Sequence, residues 1–285
     1  MLQLAINGVV LGGVYAVVAI CIVLMFQTLG ILNFAATTIG GLGAVVTILV
    51  MGTGAPGPAA LVIGAVAAGA IGAAVGALML WRFRTSDSTT RSTVTVVILV
   101  AGMALGTRLL GSDARRFPDI FGGATVQLGG AAIQVATIVE IAVVLALAFG
   151  ARQFLLHTRA GVQLRALAVR PVTAQVVGIK VGKLSIGVWV LTSVLSTLAV
   201  FFVLPTSTFS FATTTTLLIG SLAAALIGML RSLPVAAIGG LALGVLQSVS
   251  VTWPALVNLN QVIPFVVIIA IMLWWRRKDV WSESR

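Results

Sequence analysis

Apolar residues in this sequence come in long, nearly unbroken runs, not in alternating pairs or narrow helical stripes. A helix crossing a bilayer needs about 20 mostly apolar residues. By that measure nine segments qualify: Leu4–Phe26, Ile31–Met51, Ala59–Trp81, Val94–Leu110, Ile133–Gly150, Leu184–Leu204, Thr213–Leu230, Val235–Val251 and Val262–Trp275. The second is the least regular, being rich in Gly and Thr and opening near Asn33, and the fourth and ninth are short for a full span. The pattern predicts one all-α domain over residues 1–285, a polytopic integral membrane bundle of eight or nine transmembrane helices. Interrupted segments of this kind also suit broken helices.

The polar connections orient the runs. Arg82, Arg84 and Arg91 face a single Asp87 after the third run, and the stretch 151–183 holds Arg152, Arg159, Arg165, Arg170, Lys180 and Lys183 without one acid. The tail 276–285 carries Arg276, Arg277, Lys278 and Arg285, whereas the connections 52–58, 205–212 and 253–260 carry no charge. Positive loops lie on the cytoplasmic side. The expected topology in a bacterial plasma membrane is therefore N-terminus outside, C-terminus cytoplasmic and an odd number of crossings, with the nearly neutral 111–132 connection outside.

Composition strengthens that picture. Hydrophobic residues make up 60% and charged residues 8% of the 285, more apolar surface than a soluble globule of this size can hide. Thirty-one glycines suit close helix approach in lipid. The net charge of +11 does not read as nucleic-acid binding, because the basic residues sit between apolar runs and form no aromatic-laced stripe. Cys21 stands alone in an apolar run, so neither an intramolecular disulfide nor a cysteine metal site is available. The opening Met1-Leu2-Gln3-Leu4 lacks a basic leader, and the first run reads as a retained helix.

Several chemistries fail on inspection. The nearest approach to a phosphate loop, Gly178-Ile179-Lys180-Val181-Gly182-Lys183-Leu184, has one spacer too few and ends in Leu. No cofactor or metal is expected, and no nucleophile–base set supports an enzyme. Glu140 is the one acid within a run, two turns from its start, where an interfacial role competes with lining a path. His157 lies just past a run beside Thr158 and Arg159 and reads as a surface residue. Trp274, Trp275 and Trp281 form an interfacial belt before the basic tail. A faint repeat links residues 33–43 with 210–220, identical at five of eleven positions including Gly43 and Gly220. Around it, Asn33, Phe34, Thr37, Thr38, Thr213 and Thr214 are the expected lining of a substrate path. The competing reading has the threonines bond back to their own helix.

The most informative polar stretch runs Thr158-Arg159-Ala160-Gly161, then Leu164 to Pro171, then Ala174 to Val181. Leu164, Leu167 and Ala168 give an apolar stripe with Arg165 off it, and Pro171 and Gly178 suit the start and stop of a second short helix. Such a pair serves either as a docking knob or as a linker on anionic lipid.

This stretch resembles the cytoplasmic loop of branched-chain amino acid ABC transporter permeases (LivH/LivM type), with its "T-x-x-G-x-x-x-R-A-x-A … A-x-x-x-G-I-x-V" pattern. Asn7-Gly8 with Gly12 and Tyr15-Ala16 is similar to that family's opening, Gly30 to Ala35 to its "G-x-x-N-F-A", and Leu233-Pro234 with Gly239, Gly240 and Gly244 to its glycine-rich run. The resemblance implies a permease subunit of an importer for a branched-chain amino acid or similar small polar solute. It implies two ATPase subunits, a second permease and an external solute-binding protein as partners. Carried over by position, Gly161, Arg165, Ala166, Ala168, Ala174, Gly178 and Ile179 would form the ATPase-coupling loop. Sugar or amide permeases of the same superfamily, or a gradient-driven transporter, are the alternatives. Three departures stand out: Ala36-Thr37-Thr38 replaces more polar residues, Arg170 stands where a capping Asp or Asn is usual, and Arg231 replaces a glycine.

Overall fold

The computed structural model describes residues 2–83, 85–111, 124–128, 131–169, 181–203, 210–252 and 260–283. Long apolar stretches leave the backbone no partner but itself in lipid, so they form helices. These are α1 (Leu2–Leu29), α2 (Ala36–Gly52), α3 (Gly57–Arg82), α4 (Ser88–Leu110), α5 (Val135–His157), the short α6 (Arg159–Val169), α7 (Val181–Val203), α8 (Thr213–Ile227), α9 (Leu233–Ser250) and α10 (Ile263–Glu283). Among the described residues, five helices (within α1, α3, α4, α7 and α9) are long and apolar enough to cross a bilayer, while α2, α8 and the apolar part of α10 are shorter. The all-α membrane bundle expected from the runs is what forms, with one addition. Before α5 an antiparallel hairpin pairs β1 (Thr125–Leu128) with β2 (Ala131–Gln134) in the connection read from sequence as a plain loop.

Boundaries shift for local reasons. The fourth run starts a helix at Ser88, six residues early, because Asp87 caps it by accepting from the Thr90 N–H at 3.4 Å. The second starts late: Gly30 adopts φ +66, residues 31–33 carry no regular structure, and α2 begins only at Ala36. The span after the hairpin continues to His157 and α7 begins at Val181, so the expected 151–183 loop narrows to 158–180. Likewise the basic tail from 276 is not a free strand of chain, since α10 runs to Glu283.

The faint sequence repeat marks an architectural one. Shifting by 177 (210 minus 33) carries the start of α2 onto that of α8, and α1, α3 and α4 onto α7, α9 and α10 to within a few residues. Packing obeys the exchange: α1 lies on α9 as α7 lies on α3, and α2 lies on α3 and α7 as α8 lies on α9 and α1. The equivalent helices α1 and α7 cross at the centre, where Met25 meets Thr192 (Sδ to Oγ1, 3.7 Å) and Cys21, one turn earlier, meets Ser196, one turn later. They are therefore antiparallel, and the halves are inverted repeats.

Glycine sets the two principal seams. A Cβ on Gly244 of α9 would lie 2.2 Å from the Gly12 nitrogen of α1, and one on Gly240 would lie 2.5 Å from that of Ala16. On the other seam Gly72 and Gly76 of α3 receive Ser193 and the fully buried Trp189 of α7. Such backbone contact replaces the hydrophobic drive that helices lack in lipid. The outward faces of α3, α4, α9 and α10 expose Val66, Val97, Ile238 and Ile269, as lipid-facing helices must.

Candidate functional site

Two half-helices meet inside the bundle. Chain 31–35 does not turn at the end of α1 but runs inward along α4. The Leu32 N–H donates to Ser92 Oγ (3.1 Å), the Phe34 N–H to Thr95 Oγ1 (3.0 Å), and Thr95 Oγ1 back to the Leu32 carbonyl (3.0 Å). Thr95 is seven residues into α4, about 10 Å along its axis at 1.5 Å per residue. From that depth α2 starts and runs toward its turn with α3. The other half-helix, α8, starts from the opposite direction and ends at the turn 228–232, whose Arg231 carbonyl accepts from Gln27 Nε2 near the end of α1. The two N-termini pass side by side, so that a Cβ on Gly41 of α2 would meet the Thr214 methyl at 3.1 Å and the Phe211 ring at 3.2 Å. Their positive dipole ends thus lie together within the bundle.

Of the residues expected to line a path, the structure assembles most and divides them by role. Thr213 and Thr214 bond back to the carbonyls of Ser210 (2.6 Å) and Phe211 (2.7 Å), which satisfies them locally. Asn33 is buried, and its Oδ1 accepts from the Ala35 N–H at 3.0 Å, so it shapes the turn into α2. Phe34 packs part-buried on the core with its backbone held by Thr95. Thr37 and Thr38 differ from all of these. Both are fully buried, and neither hydroxyl has a hydrogen-bond partner.

Phe211 was missed in the sequence, although its signal was present as the repeat counterpart of Phe34. Its ring lies on α4, where a Cβ on Gly106 would come within 2.3 Å, and beside Gly41 of α2. With Thr38 against Gly102 and Thr215 Oγ1 3.3 Å from Met103 Sδ, it closes the space between the half-helices and α4. Trp189 Nε1 and Ser193 Oγ are also buried without partners, but they lie on the α3–α7 seam.

A second feature lies at one end of the bundle. Thr158 accepts from the Gly161 N–H (Oγ1, 3.0 Å) and so caps α6, a role not assigned from sequence. Gly161 sits in the first turn of α6 and not ahead of it. A Cβ there would strike the Phe154 carbonyl at 2.2 Å, so glycine lets α6 fold back on α5. Leu164 is buried against the bundle while Val162, Gln163 and Ala166 are exposed. Arg165 and Ala168 lie on α6, but their side chains fall outside the described residues, as do Arg170, Ala174, Gly178 and Ile179 with the expected second helix. The side chain of Glu140 in α5 is outside them too, and His157 is exposed as expected.

Helix directions gather the basic residues. The end shared by the C-termini of α1, α3 and α8 and the N-termini of α4 and α7 holds Arg82, Arg91, Arg159, Lys183 and Arg231. Among the described cations only Arg108 lies at the other. At that other end Gln247 near the end of α9 accepts from Tyr15 (Oε1, 2.7 Å) and donates to the Asn260 carbonyl before α10 (Nε2, 3.1 Å).

Comparison with known proteins agrees with this geometry. Among solved structures, PsaBC from Streptococcus pneumoniae in complex with Fab is similar, with a TM-score of 0.53 and 16% identity over 95% of this chain and 88% of that one. At that identity the likeness shows the fold alone. No curated protein matches the sequence. The family model for the permease component of branched-chain amino acid transport systems matches residues 4–272, nearly the whole chain. The described parts of the four motifs carrying the resemblance lie at the α1–α9 seam, at the entry to α2 and on α6. The chain belongs to this family, as a membrane permease component of an ABC transporter.

Proposed function

We propose that the chain is the transmembrane permease of an ABC importer that moves a branched-chain amino acid or a similar small polar solute into the cell. The family's description supports the solute class. The basic end of the bundle faces the cytoplasm, with the N-terminus outside and the C-terminus inside. The solute passes where α2 and α8 meet, lined by Asn33, Phe34, Thr37, Thr38, Thr213 and Thr214. A second permease, identical or related, completes the membrane unit, and an external binding protein delivers the solute.

The observation that carries this reading is the position of α6, folded onto the basic end with one face buried and one presented outward. Together with residues 170–180 it is the handle that two nucleotide-driven ATPase subunits move, through Gly161, Arg165, Ala166, Ala168, Ala174, Gly178 and Ile179. A lever of this kind suits a bundle of inverted repeats, which works by rocking one part against another.

Purification from the native membrane tests it. An ATPase subunit is expected to accompany the chain and to be lost when Arg165→Glu and Ala166→Glu are combined, with the bundle still folded. Uptake that persists without any ATPase and collapses with the ion gradient would overturn the proposal.

A further inference from the structure

We infer that the first turn of α2 binds the carboxylate group of the transported solute. The inference rests on the transport reading above and adds the chemistry of one contact. The first helical hydrogen bond of α2 runs from the Ile39 N–H to the Ala35 carbonyl at 2.9 Å. Of the N–H groups of Ala36, Thr37 and Thr38 ahead of it, at least one closes the turn at Phe34–Ala35 onto the Asn33 carbonyl, and the others have no acceptor within their own helix. Most helices meet this need with a side-chain cap. Here the N-cap residue is Ala35, which has no side-chain acceptor, and the Asn33 Oδ1 just before it is taken by the Ala35 N–H.

The two hydroxyls in the same turn make the case specific. Thr37 and Thr38 are 0% exposed, and both Oγ1 atoms lack a partner. Threonine in a first turn need not be left this way. At the repeat-equivalent turn of α8, the counterparts both find partners, Thr214 Oγ1 donating to the Phe211 carbonyl at 2.7 Å and Thr215 Oγ1 to Met103 Sδ at 3.3 Å, and the N–H groups of Thr213, Thr214 and Thr215 close onto Ser210, Phe211 and Ala212 at 3.0–3.2 Å. The α2 copy leaves its two hydroxyls without a partner. Burying an unpaired hydroxyl costs stability, so its retention in duplicate points to a group that arrives during transport.

That group is an acceptor with negative charge. A turn of free N–H groups at a helix N-terminus favours an anion, and the α8 N-terminus adds a second positive dipole end beside Gly41. The described Lys and Arg side chains lie at the two ends of the bundle, so the dipoles stand in for a cation. In this conformation Phe211 covers the adjacent Gly41, and the carboxylate reaches the turn when the ring moves off.

The test uses the permease purified with its ATPase subunits, tritiated L-leucine, L-leucinamide, in which an uncharged carboxamide replaces the carboxylate, and short carboxylates from acetate to isocaproate. Leucine is expected to bind at least tenfold more tightly than leucinamide. Combined Thr37→Val and Thr38→Val is expected to weaken leucine binding about tenfold to a hundredfold, the range for hydrogen bonds to a charged group. Thr37→Ser with Thr38→Ser should retain it. Because valine removes buried hydroxyls that have no partner, the valine variant without ligand should unfold at or above the wild-type temperature, which separates lost binding from lost folding. Equal binding of leucine and leucinamide, an unchanged affinity in the valine variant, or a wild type that binds none of the carboxylates would overturn the inference. ATP-driven uptake by the same preparation would leave the importer reading standing in any of those cases, whereas a preparation without ATPase-dependent uptake would sink that reading first.

Discussion

The α1–α9 seam predicts a specific intolerance at Gly244. An alanine there would bring its Cβ to 2.3 Å from the Gly12 Cα and 2.5 Å from the Gly8 carbonyl. Carbon atoms rest at about 3.5 Å or more, so at this crossing the helices must part by roughly 1.2 Å. The atoms met are backbone, and no rotamer change relieves them. Overpacking of this kind costs about 1–3 kcal/mol, and a backbone clash belongs at the upper end. Alanine returns about 1 kcal/mol of helix propensity, leaving a net loss near ~2 kcal/mol. Gly187 of α7 is the control, because nothing lies within 4 Å of its Cβ position and alanine there should gain about 0.5–1 kcal/mol. Thermal unfolding in detergent, followed by tryptophan fluorescence, reads both. If Gly244→Ala unfolds no lower than Gly187→Ala, backbone contact is not what holds α1 in place.

Three further expectations concern other elements. Tyr15→Phe leaves the buried Gln247 Oε1 without its 2.7 Å donor and should cost about 1–2 kcal/mol in the same assay. Met229 and Leu230 hold φ of 54 and 53 in the turn between α8 and α9, and Met229 is exposed; Met229→Gly should stabilise by about 1 kcal/mol by relieving the left-handed strain. The Thr90 hydroxyl and N–H beside Asp87 hold its carboxyl below the ordinary value of 3.8. The charged cap therefore stabilises α4 above that value and loses its contribution as pH falls through the lower, folded one. The melting difference between wild type and Asp87→Ala should be clear at neutral pH and shrink in acid. A gap that widens instead would show that the carboxylate is not what the cap uses.

Bundle membership was legible because long apolar runs leave only helices possible in lipid. Helix ends were legible where a side chain or glycine dictates them, though Asp87 as a cap outside the apolar run was overlooked. Entry to α2 was not readable, since Ile31 and Leu32 are as apolar as a helix would want. What stops the helix is the Gly30 conformation and the bonds from Ser92 and Thr95, some 60 residues away in sequence. The candidate threonines were found as a group but not told apart. Back-bonding satisfies Thr213 and Thr214 and passes over Thr37 and Thr38, a difference that depends on local turn geometry and not on residue type.

That difference bears on how symmetric the machine is. Inverted repeats interconvert two conformations most simply when each half can adopt the other's packing. Here the Phe211 ring seats on Gly41 and Gly106, both small enough to receive it. Applying the same shift of 177 (210 minus 33), Phe34 would need the counterparts of those glycines, which are Leu218 and Glu283. Neither is a glycine, so the seat that receives Phe211 is not repeated in sequence for Phe34. Copying the other half into this one exposes the constraint: Gly41→Leu would drive a side chain into the Phe211 ring at 3.2 Å and the Thr214 methyl at 3.1 Å. The cost expected is about 1–3 kcal/mol in thermal unfolding, and adding Phe211→Ala, which vacates the space, should recover part of it. Additive losses in the double variant would mean that ring and glycine do not share one site, and the one-sided seat would have to be given up.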